Sequence, residues 1–335
     1  AHDMGNPPFG HSGERAISAY FKEGNGARWR AEVEDEGGRW EDFLFFEGNA
    51  NAFRLLTHQF EGRRAGGFAL TYSTVASIVK YPYSSLLAGK KNKFGFFATE
   101  EDTMREVGDE LGLIRLSDAP LSYVRHPLVY LVEAADDICY QIMDIEDACK
   151  LHILSFDEAE THLMAFFSDV DKAEIQQVSR TIGDANERLG YLRAKVINLL
   201  VEEVASIFLD EEKAILDGHF LGTLIQHLSP RSRSAYEACS HTAYTRIYSA
   251  HDVVDVELAG HRIFSSLLDH LIEAQVHPEY SYSRTLLSRV SSQYDTSRPT
   301  LYGKIQCALD YISGMTDIYA LNFYRTITGM NLPAV

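Results

Sequence analysis

Cysteine is scarce and scattered in this chain, which has four in 335 residues. Cys139, Cys149, Cys239 and Cys307 form no CxxC pair, which argues against both a zinc ribbon and a disulfide framework. Isolated cysteines are typical of proteins in a reducing compartment. Because the sequence also shows no signal peptide, we expect a cytoplasmic location.

Long apolar runs and basic residues are also in short supply. No run is long enough to cross a bilayer, so no membrane partner is expected. The chain has 31 Lys and Arg against 48 Asp and Glu, a net charge of −17. A surface that coats nucleic acid needs clustered Lys and Arg, so this function class is disfavoured. A polyanionic substrate would require a local basic pocket or metal ions.

The first fourteen residues carry the densest group of chemically active side chains, in the string AHDMGNPPFGHSGE. His2 and Asp3 offer an imidazole nitrogen and a carboxylate oxygen, a pair that suits Mn, Fe, Ni or Mg better than a structural zinc. Residues 5–10 combine two glycines with two prolines and therefore form a shaped loop rather than a helix. A solvated polar pair is the alternative, because His-Asp recurs as His251-Asp252 without such a loop.

The loop is followed by a second imidazole, His11, and by Glu14. If the loop folds back, both side chains approach the metal ligands. An imidazole and a carboxylate at that position are suited to act as a general acid/base pair on a metal-bound water.

Three further segments carry polar residues in informative positions. Asn49 follows Phe46-Glu47-Gly48 at the predicted start of a helix, where it either lines a site or satisfies its own backbone. Lys80-Tyr81-Pro82 ends another predicted helix. Residues 90–93 contain three lysines, which would hold phosphates or form a solvated basic turn.

The most regular segment is a buried helix predicted from Pro127 to Ala148. Asp136, Tyr140 and Asp144 recur every four residues and share one face. Unpaired buried carboxylates are costly, so a metal ion would explain them. The pattern alone leaves Asp136 and Asp137 as equal candidates.

The remaining pattern predicts an all-α protein. Helices are expected at 15–22, 71–80 and 127–148, and then at about 156–168, 171–181, 185–208, 211–217, 232–249, 252–274 and 300–328. Residues 23–42 read as a loop, and strand alternation is confined to short stretches at 43–46 and 94–97. We expect a core over 1–150 and a helical C-terminal region over 151–335.

These motifs, together with residues 310–321, resemble the HD-domain deoxyguanosine triphosphate triphosphohydrolase (dGTPase) family. The resemblance implies an HD-domain helical bundle with additional C-terminal helices. It also implies metal-dependent hydrolysis of a deoxynucleoside triphosphate, with dGTP expected, to the deoxynucleoside and tripolyphosphate. The implied cofactor is a divalent metal of the Mn, Mg, Ni or Fe class.

The resemblance assigns roles to individual residues. Metal ligands would be His2, Asp3 and Asp136, with catalysis by His11 and Glu14. The implied substrate-binding residues are Asn49, Lys80, Tyr81, Lys91, Lys93, Tyr140, Asp144 and Arg325. Family members form oligomers, so a homo-oligomer, for instance a hexamer, and a single-stranded DNA effector are the expected partners.

One element of the family pattern has no match. The first histidine of H…HD…D should lie several dozen residues before His2, so three ligands hold the metal weakly or the histidine lies on a further segment. The alternatives are an HD phosphohydrolase of another nucleotide and a regulator that binds nucleotides or single-stranded DNA without turnover.

Overall fold

The protein is helical almost throughout, which confirms the all-α prediction. Its structure is a computed structural model that describes residues 1–249 and 251–330, without the side chains of Lys91 and of residues 251–253. The described helices are α1 Gly10–Lys22, α2 Arg30–Asp35, α3 Glu41–Leu44, α4 Gly48–Thr57, α5 Tyr72–Ile78, α6 Glu101–Glu110, α7 Pro127–Lys150, α8 Phe156–Met164, α9 Asp169–Ser179, α10 Ala185–Asp210, α11 Glu212–Leu216, α12 Pro230–Thr242, α13 His251–Val276, α14 Ser281–Leu287, α15 Leu301–Ser313 and α16 Asp317–Ile327. None of them combines the length and the apolar content needed to cross a membrane.

The strands of the described chain form one antiparallel hairpin, β1 Arg115–Asp118 and β2 Leu121–Tyr123. Its register pairs Asp118 with Leu121. The expected short strands at 43–46 and 94–97 are not formed. Phe43 belongs to α3, and Phe96 makes a single parallel bridge to Ser84.

The chain divides into two compact units. The first contains residues 1–125 and the described residues from 256 onward, and the second contains residues 126–255. The expected division at residue 150 falls at the last residue of α7, inside the second unit. Residues 256–330 pack with the N-terminal segment because α13, α15 and α16 supply much of the first unit's core.

Aromatic side chains fill the core of the first unit. Phe21 of α1 contacts Trp40 and Phe43, with ring centroids 5.5 and 5.2 Å apart. Phe43 in turn lies 4.9 Å from the ring of Tyr302 on α15. This core orders much of residues 23–42, which were expected to form a loop. They contain a 3₁₀ helix at Asn25–Trp29 and the helix α2.

The second unit is built around α7 and α10. Ile138, Ile142 and Ile145 of α7 are buried, as are Leu192 and Val196 of α10. Local capping fixes where its helices begin. Pro127 lies in the first turn of α7, and Ser155 forms a capping box with Glu158 at the start of α8, as the sequence predicts.

Candidate functional site

His2 and Asp3 lie on a short 3₁₀ helix, His2–Gly5, in the first unit. His2 Nε2 is 3.1 Å from Asp3 Oδ2, and Asn6 Nδ2 donates to Asp3 Oδ1 over 3.1 Å. Adjacent ligand atoms of an octahedral ion with bonds near 2.1 Å are about 3 Å apart. The nitrogen and oxygen atoms therefore fit two neighbouring positions around one divalent cation.

Close backbone packing fixes this segment against α4. A Cβ atom at Gly5 would overlap Gly48 O and Ala52 N, and one at Gly48 would overlap Asn6 Oδ1. Asn51 Nδ2 donates to Gly5 O over 2.8 Å. The two glycines thus allow the His-Asp segment to rest directly on the first turn of α4.

The following loop directs the chain into α1. Phe9 has a φ of 63°, which is strained for a bulky residue, and its N–H donates to Asp317 Oδ1 over 2.9 Å. Its ring packs edge-on against Phe264, with centroids 6.2 Å apart. A Cβ at Gly13 would overlap Pro8 O. These contacts fix the first turn of α1, where His11 and Glu14 lie.

His11 and Glu14 form a hydrogen-bonded pair in the first turns of α1. His11 Nδ1 is 2.8 Å from Glu14 Oε2, while Glu14 Oε1 accepts from Gly48 N over 2.7 Å. The side chain of Glu14 is 10% exposed and that of His11 is 67% exposed. With Nδ1 donating to the carboxylate, Nε2 of His11 is left as the basic nitrogen.

Electrostatics strengthen the pair. The hydrogen bond to Glu14 raises the pKa of His11 above its usual value, although burial opposes the shift. Burial works against ionisation of Glu14, but the hydrogen bond with His11 and the nearby Lys93 hold its pKa below the ordinary range. Glu14 therefore remains a carboxylate that orients the imidazole.

Glu47 is a buried site residue that the sequence reasoning missed. It caps α4, because Oε2 accepts from Asn49 N over 2.7 Å and from Ala50 N over 3.3 Å. Its Oε1 accepts from Asn49 Nδ2 over 2.9 Å and from Lys93 Nζ over 2.8 Å. The available signal was an acidic residue directly before a predicted helix. Asn49 therefore does not cap α4 itself.

The structure describes the side chains of three of the four residues that were predicted to contact the phosphates, namely Lys80, Tyr81 and Lys93. Lys80 and Tyr81 follow α5, and Arg125 Nε donates to Lys80 O over 2.9 Å. Burial disfavours the charged form of Lys93, but Glu47, Glu14 and, to a smaller extent, Tyr81 raise the pKa of this lysine above its usual value. The predicted role of the Lys91 side chain lies outside the described residues.

A cleft of about 510 Å³ opens beside the pair in the first unit. Its lining includes His11, Glu14 and three basic side chains, Arg15, Lys22 and Lys93. The cleft places the imidazole next to cationic groups. Such a site suits an anionic ligand that undergoes proton transfer.

Asp136, Tyr140 and Asp144 lie on α7 of the second unit, spaced by four residues. Asp136 is half-buried and the Tyr140 side chain is exposed. Asp144 Oδ2 accepts from Tyr248 OH over 2.6 Å, so this carboxylate has a protein partner as well as a predicted sugar contact. Arg325 is exposed on α16, in the first unit.

An all-α fold that carries an adjacent His-Asp pair followed by a His-Glu pair agrees with the resemblance to HD-domain proteins. A family model described as a phosphohydrolase-associated domain matches residues 226–326. The chain is 34% identical over 350 residues to a deoxyguanosinetriphosphate triphosphohydrolase-like protein of Pseudomonas aeruginosa LESB58, with 100% of this chain and 76% of the relative aligned.

Two other relatives give the same result. A protein of the same description from Synechocystis sp. PCC 6803 is 36% identical over 353 residues, covering 99% of this chain and 76% of the relative. A deoxyguanosinetriphosphate triphosphohydrolase of Yersinia enterocolitica is 28% identical over 401 residues, covering 97% and 76%. The chain belongs to the deoxyguanosinetriphosphate triphosphohydrolase-like family.

Proposed function

We propose that the protein is a metal-dependent phosphohydrolase that converts a deoxynucleoside triphosphate, with dGTP expected, into the deoxynucleoside and tripolyphosphate. The observation that carries this proposal is the His11–Glu14 pair beside a cleft whose lining includes Arg15, Lys22 and Lys93. The names of the relatives support the reaction class. In this reaction, water forms a bond to the α-phosphorus, the bond from phosphorus to the 5′ oxygen breaks, and the 5′ oxygen gains a proton.

His2, Asp3 and Asp136 would hold the divalent cation of the Mn, Mg, Ni or Fe class. The donor chemistry of His2 and Asp3, and the 3.1 Å between their ligand atoms, support this assignment in the first unit. Asp136 is proposed from the resemblance and from its position on α7. When bound, the cation supplies Lewis-acid polarisation of a phosphoryl oxygen.

The residues of the chain perform the remaining tasks. His11 Nε2 accepts a proton from the attacking water or returns one to the 5′ oxygen, while Glu14 orients the ring. Lys80, Tyr81, Lys91 and Lys93 neutralise the β- and γ-phosphates. We assign the nucleoside to Asn49, Tyr140, Asp144 and Arg325.

Product analysis tests the reaction. The full chain is incubated with dGTP and Mn²⁺, and the products are separated by ion exchange. Deoxyguanosine with tripolyphosphate is the expected result, whereas pyrophosphate or single phosphates would refute the proposal. A panel of dNTPs, NTPs and monophosphates separates dGTP hydrolysis from hydrolysis of another nucleotide.

Replacement of His11 tests the proton-transfer role. His11→Ala should lower kcat by about 10²- to 10⁴-fold and leave Mn²⁺ binding intact. The exposed His261 of α13 provides the matched control, and His261→Ala should turn over normally. A His11→Ala protein with full turnover would remove His11 from the mechanism.

The third ligand can be tested with two neighbouring aspartates. Asp136→Asn should weaken Mn²⁺ binding, measured by calorimetry, whereas Asp137→Asn should not, because the two side chains point about 100° apart on a helix. Equal losses in both variants would contradict the assignment.

Stoichiometric metal without turnover of any nucleotide would favour a binding regulator instead. A homo-oligomeric assembly and a single-stranded DNA effector remain predictions from the family resemblance.

A further inference from the structure

One carboxylate oxygen in the first unit faces two competing donors. Glu14 Oε2 lies 2.8 Å from His11 Nδ1 and 3.7 Å from Lys93 Nζ. Lys93 Nζ lies closer to Glu47 Oε1, at 2.8 Å. The ammonium group is therefore shared unequally between two buried carboxylates, and the nearer one is Glu47.

Because the groups are buried, the contact between Glu47 and Lys93 determines where the ammonium group lies. The Glu47 side chain is 1% exposed and that of Lys93 is 27% exposed, so protein groups must replace much of their hydration. Removing the charge of Glu47 would leave Glu14 as the nearest carboxylate to the ammonium group. A shift of about 1 Å in the flexible lysine chain would then bring Lys93 into direct contact with the oxygen that holds His11.

We propose that Glu47 is a positioning residue, which keeps Lys93 away from Glu14 Oε2 and thereby keeps that oxygen available to orient His11. This inference rests on the roles proposed above for His11 and Glu14. Glu47 acts through Lys93 and Glu14. Tyr81 and Tyr83 are further titratable groups near Lys93.

The capping contacts of Glu47 supply the competing explanation. Glu47 also accepts from Asn49 N and Ala50 N, so its replacement could act only by weakening α4. The two roles predict different changes in the pKa of His11. Glu14 and Glu47 raise that pKa, whereas Lys93 lowers it. If Glu47 only capped α4, removing the charge of Lys93 from the Glu47 variant would not restore the pKa of His11.

The experiment follows the His11 imidazole by NMR titration of the full chain labelled with ¹³C-histidine. Glu47→Gln retains an amide oxygen for the cap but loses the charge, and it should lower the pKa of His11. In the double variant Glu47→Gln/Lys93→Met the competing ammonium group is gone, so the pKa should return towards the wild-type value. Lys93→Met alone should raise it, which gives an independent test if Glu47→Gln does not fold.

Asp42→Asn is the matched control. Asp42 is also a buried carboxylate of the first unit, with hydrogen bonds from Ser85 and Tyr302, and it has no contact with Lys93 among the described residues. Its replacement should leave the pKa of His11 unchanged.

Turnover gives the second measurement. Glu47→Gln should reduce kcat on the order of ten- to a hundredfold. An unchanged pKa of His11 in both Glu47→Gln and Lys93→Met would overturn the proposal, even if turnover fell. A wild-type protein without triphosphohydrolase activity would refute the proposed function and leave the NMR result to decide whether Glu47 positions His11.

Discussion

The imidazole of His11 owes its orientation to residues outside its own helix. Glu14 holds the ring on α1, but Gly48 N at the start of α4 holds Glu14 in turn. A carboxylate with both oxygens engaged has little freedom to rotate. The proton-transfer group is thereby preorganised before any substrate enters the cleft.

The Glu14–His11 bond should be visible in the pH profile of turnover. Since Glu14 raises the pKa of His11, neutral imidazole is available only at higher pH than for a free histidine. Glu14→Gln removes the charge, so the limb of the kcat/KM profile that reports His11 should move to lower pH. Glu23→Gln, at an exposed carboxylate of the same cleft, is the control. A limb that does not move would show that another group titrates there.

Residues within one short motif were easier to find from the sequence than residues brought together by folding. His11 and Glu14 stand within one string of fourteen residues, which marked them as candidates although the helix was expected to begin only at residue 15 and α1 begins at Gly10. The partner of Glu47 is Lys93, 46 residues further along, and no local pattern links them. The sequence therefore indicated Asn49 as a site residue but not Glu47.

At the scale of elements, the His-Asp segment and α4 behave as one piece because their backbones touch. Gly5→Ala should displace the segment from α4, and we expect about a 10- to 100-fold loss of Mn²⁺ affinity, measured by calorimetry, without unfolding. Gly190→Ala in α10 is the control, since a Cβ there meets nothing within 4 Å. Unchanged Mn²⁺ affinity in Gly5→Ala would mean that the segment does not carry metal ligands.

A buried ion cluster ties α4 to α15. Arg54 binds both oxygens of Asp310 at 2.7 Å and Glu100 Oε1 at 2.5 Å, and all three side chains are almost fully buried. Burial disfavours the charged guanidinium, but Asp310 and Glu100 raise the pKa of Arg54 above its usual range. The Arg54 guanidinium therefore stays charged despite its burial.

Arg54→Met should lower the free energy of unfolding by about 3–5 kcal/mol, because two carboxylates remain buried without their cation. Urea unfolding can be followed by the fluorescence of Trp29 and Trp40, the two tryptophans of the chain, which both lie in the first unit. Arg30→Met breaks an exposed pair with Glu34 and should cause no measurable change. Equal effects of the two variants would contradict the importance given to burial.

Helix ends were predictable where a single residue determines them. Pro127 and Ser155 mark the starts of α7 and α8 in the sequence as in the structure. The region 300–328 was expected to be one helix, yet α15 ends at Ser313 and Thr316 caps α16. Residues 23–42 were expected to form a loop, and the hairpin was missed, because their short elements depend on packing rather than on periodicity.

At the scale of the whole molecule, the chain is strongly acidic, and its basic residues are in the minority. The net charge is −17, and the cleft lining combines Arg15, Lys22 and Lys93 with Glu14 and Glu23, so an anionic ligand would be held by individual basic side chains rather than by the overall field. The two-unit division could not be read from the sequence. It depends on the return of α13, α15 and α16 to the N-terminal segment, and long-range packing of this kind leaves no periodic signal.

The cysteines offer a reporter for each unit. Burial raises the pKa of Cys239, in the second unit, and of Cys307, in the first, to about 12. A thiol reagent at pH 8 should modify exposed Cys139 rapidly and these two only on unfolding, because the thiolate is the reactive form. Variants that retain one buried cysteine would time the opening of each unit by mass spectrometry. Rapid native modification of both would contradict the described packing.

Gly5 lies so close to the backbone of Gly48 and Ala52 that no side chain fits at position 5 between the His-Asp segment and α4. Any side chain at position 5 must therefore displace the segment from α4. In a saturation library selected for turnover, position 5 should tolerate glycine alone, and the failure should be abrupt rather than graded by the size of the replacement.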